Sequence, residues 1–331
     1  MSPKISVVIC TRDRHDLIGQ AVESVMACDY PAFDLHVMDQ STGDETKQIV
    51  EALAARPGSR CRVVYHHLDK AGLSRAYNAG IAVSDGELIA FTDDDVIVPS
   101  DWLSQIARSF DGDPEAGLLY GQVCVPASLE DQVRRGVIVP SLTWDRRERL
   151  SRRDGNYKVW GMGADMAIRR TLLDRVWGFD EALGGGGPLR SSQDYDFAYR
   201  TYRFGMAILL EPAVKVDHYG TRTQEQWPLT MKNYGIGDGA FYSKHVRCGD
   251  LLALRLFSAI LLRSFLQPVA WSLKQRRLVG RGDYGRHLWE GVRAASKFAI
   301  DPRFRLYRET ASGKMTVTDA NAVTAAAPRR E

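Results

Sequence analysis

The first hundred residues alternate between short apolar runs and helically spaced segments, and this alternation narrows the fold more than any other feature. Residues 5–10 (ISVVIC) form a short, essentially continuous apolar run, as expected of a strand buried on both faces. Residues 13–27 then place Leu17, Ile18, Ala21, Val22 and Val25 at the spacing of one helix face. The cycle repeats with strand-like 35–38, helix-like 45–55, strand-like 62–66, helix-like 73–83 and strand-like 88–92. A βαβαβαβ order of this kind predicts an α/β fold, a mostly parallel sheet with helices on both faces.

In such sheets ligands bind beyond the carboxyl ends of the strands. The residues to read for chemistry are therefore Thr11 and Arg14 after the first strand, Asp39 after the second and Asp69 after the third. After the fourth come Asp93, Asp94 and Asp95. On an extended chain Asp93 and Asp95 face one way and Asp94 the other. Paired carboxylates suit Mg²⁺ or Mn²⁺, which commonly bridge one or two acids to substrate phosphates and offset charge on a departing diphosphate. Spacing alone equally allows a solvated acidic turn leading to a helix cap at Ser100 or Asp101.

The order of the motifs supplies what spacing does not. ISVVICTRDR, MDQSTGDET, AGLSRAYNAGI, FTDDDVIVPSDWL, GADMAIRR, GFDEALGGG and QDYDFAYR occur across residues 4–220. In that order they resemble inverting family 2 glycosyltransferases of the Rossmann-like GT-A type, including rhamnosyltransferase-like bacterial members. The resemblance implies transfer of a sugar from a nucleotide-diphosphate donor to a glycan or lipid-linked acceptor, with Mn²⁺ or Mg²⁺ as cofactor. It puts Thr11, Arg14 and Asp39 at the nucleobase, with Asp39 accepting from a ring N–H, so that a uridine or thymidine donor is expected before a guanosine one. Arg75 and Asn78 fall where such enzymes hold the ribose and diphosphate. Asp93 and Asp94 touch ribose and metal, Asp95 is the main metal ligand, and His218 adds a further one. Asp194 falls on the general base.

Two positions depart from the family pattern. Gln193 stands where a glutamate usually precedes the base, and Asp165 replaces an asparagine on the acceptor side. Losing a neighbouring carboxylate makes Asp194 easier to ionise. Among the aromatics of the second half, Trp160 is the expected acceptor-pocket residue, since aromatic faces stack on sugar rings as well as filling cores. Bland readings stay open for several residues. Arg75 could be a surface charge, Asp39 a turn cap, Asp194 a helix-dipole acid, and Asp196 with Arg200 an i,i+4 salt bridge. A sugar nucleotidyltransferase or a non-catalytic sugar-nucleotide-binding partner of another transferase are the alternatives. An oxidoreductase is disfavoured, because the first strand leads into CTRDRHD and not a G-x-G-x-x-G turn.

Composition bounds the setting. Five scattered cysteines without a C-x-x-C pair suit a reducing compartment, and the apolar start is too short for a signal peptide, so a cytoplasmic protein is expected. A net charge of +3 with no basic repeat gives no case for nucleic acid. The charge is unevenly spread: residues 247–310 hold 13 Lys/Arg against 5 Asp/Glu, leaving residues 1–246 net acidic. The expected organisation is a catalytic domain over 1–245, a basic helical region over 246–311 and a disordered tail over 312–331. Residues 126–158 read as a polar excursion, 184–187 as a flexible glycine run, 192–203 as a helix and 214–216 as a strand. The most apolar stretch, 251–273, contains Arg255, Arg263 and Pro268 and so does not read as a spanning helix. It suits a peripheral contact with an anionic membrane surface or a helix packed on the domain or on a second subunit in a homodimer.

Overall fold

The computed structural model describes residues 2–58, 60–158, 161–275 and 283–309. The first half follows the alternation closely: β1 (Ile5–Thr11), α1 (His15–Met26), β2 (Phe33–Asp39), α2 (Glu45–Ala54), β3 (Arg62–His67), α3 (Leu73–Val83) and β4 (Leu88–Asp93). Then come β5 (Val96–Ile97), α4 (Trp102–Asp111), β6 (Ala116–Cys124), α5 (Glu130–Arg134), β7 (Glu148–Leu150), β8 (Asp165–Arg169), α6 (Leu173–Val176), α7 (Gln193–Arg203) and β9 (Ala207–His218). The C-terminal part is α8 (Trp227–Arg247), α9 (Leu251–Gln275), α10 (Asp283–Ala295) and a hairpin of β10 (Phe298–Asp301) and β11 (Leu306–Glu309).

One mixed sheet runs β3-β2-β1-β4-β8-β6-β9-β5, with β7 also paired to β9. Strands β1 to β4 are parallel to one another; β8 runs antiparallel between β4 and β6, and β9 is parallel to β6. Both faces are covered, which is why β1 and β2 are buried at every residue. Ile18, Val22 and Val25 of α1, Val50 of α2 and Trp102 and Ile106 of α4 fill one face. Tyr77 of α3 and Phe197 and Tyr202 of α7, with Phe179, fill the other.

Two segments differ from their sequence readings. The strand expected at 214–216 is the end of a twelve-residue strand. Its pairing with β6 jumps from Tyr120↔Leu210 to Gln122↔Lys215, a bulge around Pro212, and that proline breaks the apolar pattern that would have revealed the strand. The 126–158 excursion carries α5 and β7 and is pinned by bridges Val123↔Leu142 and Ile138↔Arg222. The boundary expected at residue 245 falls in the last turn of α8, and the tail at 312–331 lies outside the described residues.

A buried ion cluster joins the sheet domain to the C-terminal helices. Asp196 on α7 accepts from Arg200 Nε at 2.8 Å and from His245 Nε2 at 2.9 Å, and Lys244 Nζ lies 2.6 Å away. Lys244 also pairs with Asp180, which accepts from the Tyr307 backbone N–H of β11 at 2.8 Å. Arg200 spends its other nitrogens on the carbonyls of Val176 (2.6 Å) and Gly178 (2.7 Å). Two acids face two permanent cations. Burial alone would raise the Asp196 carboxyl, but Lys244 and Arg200 outweigh it and hold it well below the usual range. His245 is pushed down to about 4 by burial, so it is neutral and donates Nε2–H to Asp196. Helices α8 and α10 cross in close contact, since a Cβ on Gly239 would come within 1.9 Å of the Leu288 carbonyl and one on Gly291 within 2.0 Å of the Ile236 carbonyl.

Removing one member strands the others without water, so Asp196→Ala should destabilise the fold by about 3–5 kcal/mol in urea denaturation at neutral pH. A carboxyl depressed in the folded state contributes stability above its unfolded pKa and loses it as pH falls. The gap between wild type and variant should therefore shrink below about pH 4. A gap under about 1 kcal/mol at pH 7 would show that the cluster does not hold the two parts together.

Candidate functional site

The carboxyl ends of β1, β2 and β4 converge, because Thr11 pairs with Asp39 and Cys10 with Asp93 in the parallel register. β4 ends at Asp93, and Asp94 and Asp95 form the turn into β5. The simple alternation expected of an extended chain therefore stops at Asp93. Thr11 donates its hydroxyl to Asp94 at 2.7 Å. Arg14, at the start of α1, bridges the next two acids, one nitrogen 2.6 Å from Asp94 and the other 2.5 Å from Asp95. β5 pairs with the end of β9 at Val96↔His218, which brings His218 Nε2 to 3.3 Å from Asp95.

Charge in this cluster is incompletely balanced. Burial, then Asp95 and Asp94, push the Asp93 carboxyl up to about 7. Burial raises Asp94 to about 6 against the pull of Arg14 and Thr11. Burial would also raise Asp95, but His218 and Arg14 together bring it below the usual range; the same contact with Asp95 raises His218 against its own burial. Asp95 Oδ1 is buried and meets His218 Nε2 at 3.3 Å as an ion pair without the alignment of a full hydrogen bond. A Cβ on Gly220 would sit 2.3 Å from Asp95 Oδ2 and 2.8 Å from His218 Nε2, so the backbone leaves a gap beside both. Among the described residues no three His, Cys, Asp or Glu side chains are arranged to hold an ion unaided. Hard oxygens with an open side nevertheless fit a divalent cation that takes one or two protein ligands and fills the rest from phosphate or water.

Asp194 sits in the first turn of α7 and is partly exposed, like Asp93. Its Oδ1 accepts from the Tyr195 N–H at 2.9 Å and its Oδ2 from the Gly163 N–H at 3.3 Å, while Tyr120 donates to its carbonyl at 2.9 Å. Burial outweighs these bonds and raises the carboxyl to about 6. Beyond burial, both Asp93 and Asp194 raise the Tyr77 and Tyr234 hydroxyls, so these rings lie within the field of both acids.

The remaining expected residues divide. Asp39 is fully buried and both its oxygens are engaged, by Tyr65 OH at 2.9 Å and Ser41 N–H at 2.8 Å. Arg75 pairs with Glu181 at 2.9 Å, and Asn78 exchanges hydrogen bonds with the Phe179 backbone at 2.8 and 3.0 Å. These two tie the 178–187 loop to α3, and the glycine run joins them through Leu73 N–H to Gly185 O at 2.8 Å. Asp165 is not brought to the cleft. It is fully buried on the sheet face opposite α7, where it accepts from the Trp102 indole at 2.9 Å and is raised to about 8 by burial. Trp160 lies outside the described residues. Sequence reading missed a cleft of about 440 Å³ beside the acids, lined by Arg14, Arg222, Gln226, Leu229, Thr230 and Asn233. Apart from Arg14, no motif marks those residues; only their place just after His218 could have drawn attention to them.

A mixed α/β sheet with an acid cluster at its parallel strand ends and a second acid on a neighbouring helix is an architecture of the GT-A type. The sequence model of Glycosyl transferase family 2 matches residues 6–177, just over half of the chain, and the protein belongs to that family and is a glycosyltransferase. The Glucosyl-dolichyl phosphate glucuronosyltransferase of Haloferax volcanii is 25% identical over 264 residues, 75% of this chain and 78% of that one. The GalNAc(5)-diNAcBac-PP-undecaprenol beta-1,3-glucosyltransferase of Campylobacter jejuni is 30% identical over 106 residues, 32% of this chain and 34% of that one. The GT-A-type fold is shared with a mannosyltransferase of Pyrobaculum calidifontis solved with GDP-Man and Mn²⁺ (TM-score 0.58, 18% identity, covering 90% and 87% of the two chains). S. aureus TarS is also similar (TM-score 0.53, 18% identity, 72% and 64%).

If the cluster takes a divalent cation, Arg14 and the cation compete for the same oxygens. Arg14→Ala should lower Tm without metal and gain more from Mn²⁺ than wild type does, by about 2–4 °C in a thermal-shift titration. An equal Mn²⁺ response in both proteins would count against a cation at these acids.

Proposed function

We propose that the protein transfers a sugar, with inversion, from a nucleotide-diphosphate donor to a hydroxyl of a glycan or lipid-linked acceptor. The observation that carries the reading is the pairing of an electron-rich acid cluster with a separate, partly exposed carboxyl raised to about 6. That value suits a base working near neutral pH. Asp194 takes the proton of the acceptor hydroxyl as its oxygen bonds to the anomeric carbon. The bond to the diphosphate oxygen breaks on the opposite face. Backbone N–H groups of Gly163 and Tyr195 hold the carboxylate in place. Arg14 and Thr11 fix the acids of the cluster. A divalent cation, Mn²⁺ or Mg²⁺, held by Asp95 with Asp93 and His218, would offset the charge of the departing diphosphate.

Other parts of the reading rest on similarity. A uridine or thymidine donor is favoured, with Thr11, Arg14 and Asp39 at the base and Arg75, Asn78, Asp93 and Asp94 along the ribose and diphosphate. Each Asp39 oxygen keeps a lone pair for such a donor, but the residue is fully buried, so this requires a neighbour to move aside. S. aureus TarS has been solved with UDP and with UDP-GlcNAc, whereas the Pyrobaculum enzyme was solved with GDP-Man. A lipid-linked acceptor is supported by the names of the Haloferax and Campylobacter relatives. With such an acceptor, our reading has the enzyme working at the cytoplasmic face of the cell membrane. Residues 1–245 carry the chemistry, and 246–311 brace it and contact membrane or a second subunit.

Asp194→Asn should keep donor-induced thermal stabilisation yet lose transfer by at least about a hundredfold, from the usual size of general-base effects. For wild type, a base with pKa near 6 must be ionised, so kcat/KM should fall as pH drops below about 6 and level off above it. Equal turnover by wild type and Asp194→Asn would remove this assignment of the base. A donor panel of uridine, thymidine and guanosine diphospho-sugars, read by thermal shift with Mn²⁺, checks the nucleobase.

A further inference from the structure

Helix α9 packs with one apolar face and leaves open a second that carries four leucines beside two arginines. Its inner face enters the cluster built on Tyr199, Phe241, Tyr242 and Leu288 through Leu252, Ala253, Leu256, Phe257, Ile260 and Leu261. Phe257 stacks on Tyr242 at 5.4 Å between ring centroids. The opposite face repeats every three or four residues and stays in solvent: Leu251 is 79% exposed, Leu254 45%, Leu262 59% and Leu266 56%. Beside this leucine column run Arg255 and Arg263, both exposed and without an ion-pair partner among the described residues. Trp289 of α10, whose ring meets the edge of Phe257, is a further half-exposed apolar group. A column of bare leucines is more than the scattered apolar exposure of an ordinary surface.

The charges decide what covers this face. Between residues 251 and 282 the chain has six Lys/Arg and no Asp or Glu. In a two-fold contact between copies the same patch meets itself, so Arg255 and Arg263 would face their own images with no acid of this segment to offset them. An anionic bilayer surface does the reverse. Its headgroups take the guanidinium groups while the leucines enter the acyl boundary, the arrangement of a helix lying in the interface plane. Among the described residues no helix is long and apolar enough to cross a membrane, which leaves lying on it as the geometry open to α9.

We propose that the outer face of α9, formed by Leu251, Leu254, Arg255, Leu262, Arg263 and Leu266, docks the protein on an anionic phospholipid bilayer. This deepens the reading of a lipid-linked acceptor, but its test does not depend on transfer. The full chain is sedimented with phosphatidylcholine vesicles with and without phosphatidylglycerol, at low and high salt. Binding should require the anionic lipid and weaken with salt. Arg255→Ala/Arg263→Ala should lower the partition coefficient roughly ten- to thirtyfold, from the worth of two surface cations. Leu262→Ser/Leu266→Ser should lower it comparably, and both pairs should keep the wild-type thermal response to donor and Mn²⁺. A protein that stays in the supernatant with anionic vesicles at low salt overturns the proposal. So does a stable dimer by light scattering that Leu262→Ser/Leu266→Ser dissociates, since the face would then belong to a second copy. Binding unchanged in both double variants also overturns it. Loss of transfer with intact sedimentation would count against the catalytic reading and leave the docking face standing.

Discussion

The carboxylate of Asp196 is the point on which the second half of the molecule depends. It is fully buried and takes Arg200, Lys244 and His245 at once, from α7 and α8. Through Lys244 and Asp180 the same cluster reaches Tyr307 of the C-terminal hairpin. A charged cluster of this kind contributes little net stability compared with a hydrophobic one, but it is costly to break by halves. That property suits its position, two residues beyond Asp194. The helix carrying the proposed base cannot rotate or slide without uncovering charge. The entry to that helix is fixed as well: Ser192 takes a left-handed backbone (φ 68°) and donates to Asp238 of α8 at 2.6 Å, and Asp238 also accepts from Tyr284 of α10. A non-glycine residue in that conformation persists only where its surroundings over-determine it.

The aspartate run is held by the opposite device, a cluster left short of positive charge. Arg14 and His218 neutralise part of three carboxylates, and burial, with the neighbouring acids adding to it, raises Asp93 and Asp94. Under the proposed function such a site has room for a cation, whereas the ion cluster around Asp196 is already balanced. The two acid groups of this protein therefore differ in kind. One is closed and structural, the other open and unsatisfied, and the difference lies in how many acids share the two basic side chains each receives.

The parallel half of the fold was legible because buried parallel strands and amphipathic helices write their period directly into the sequence, and every element from β1 to β4 stands within a few residues of its reading. The strand β9 was legible only at its end, since Pro212 and the bulge beside it interrupt the pattern. Individual site residues were less legible than their motifs. Asn78 and Arg75 lie on the expected helix, yet their side chains hold the 178–187 loop. Asp165 lies in the expected motif, yet that motif forms the strand β8 and the pleat turns the residue to the Trp102 side, and no motif records which face a strand residue takes. The i,i+4 spacing of Asp196 and Arg200 did announce their pairing. It could not show that Lys244 and His245, some fifty residues on, would complete it, because long-range charge matching leaves no local period.

Gln193 acquires a physical account from the same comparison. It is nearly buried, its Cβ and Cγ lie 3.4 Å from where a side chain on Gly184 would begin, and the neighbouring Asp194 is already raised by burial and by Asp238. A glutamate at 193 would add a second buried carboxylate beside the first. It would either take up a proton itself or drive Asp194 further from ionisation. An uncharged amide of nearly the same shape avoids both. With the α7 entry drawn in against α8 and α10, where Asp238 supplies a negative charge from outside the first turn, a neutral residue at 193 leaves Asp194 as the one acid of that turn free to gain and lose a proton near neutral pH. The departure from the family pattern and the buried C-terminal packing are in this sense a single adjustment.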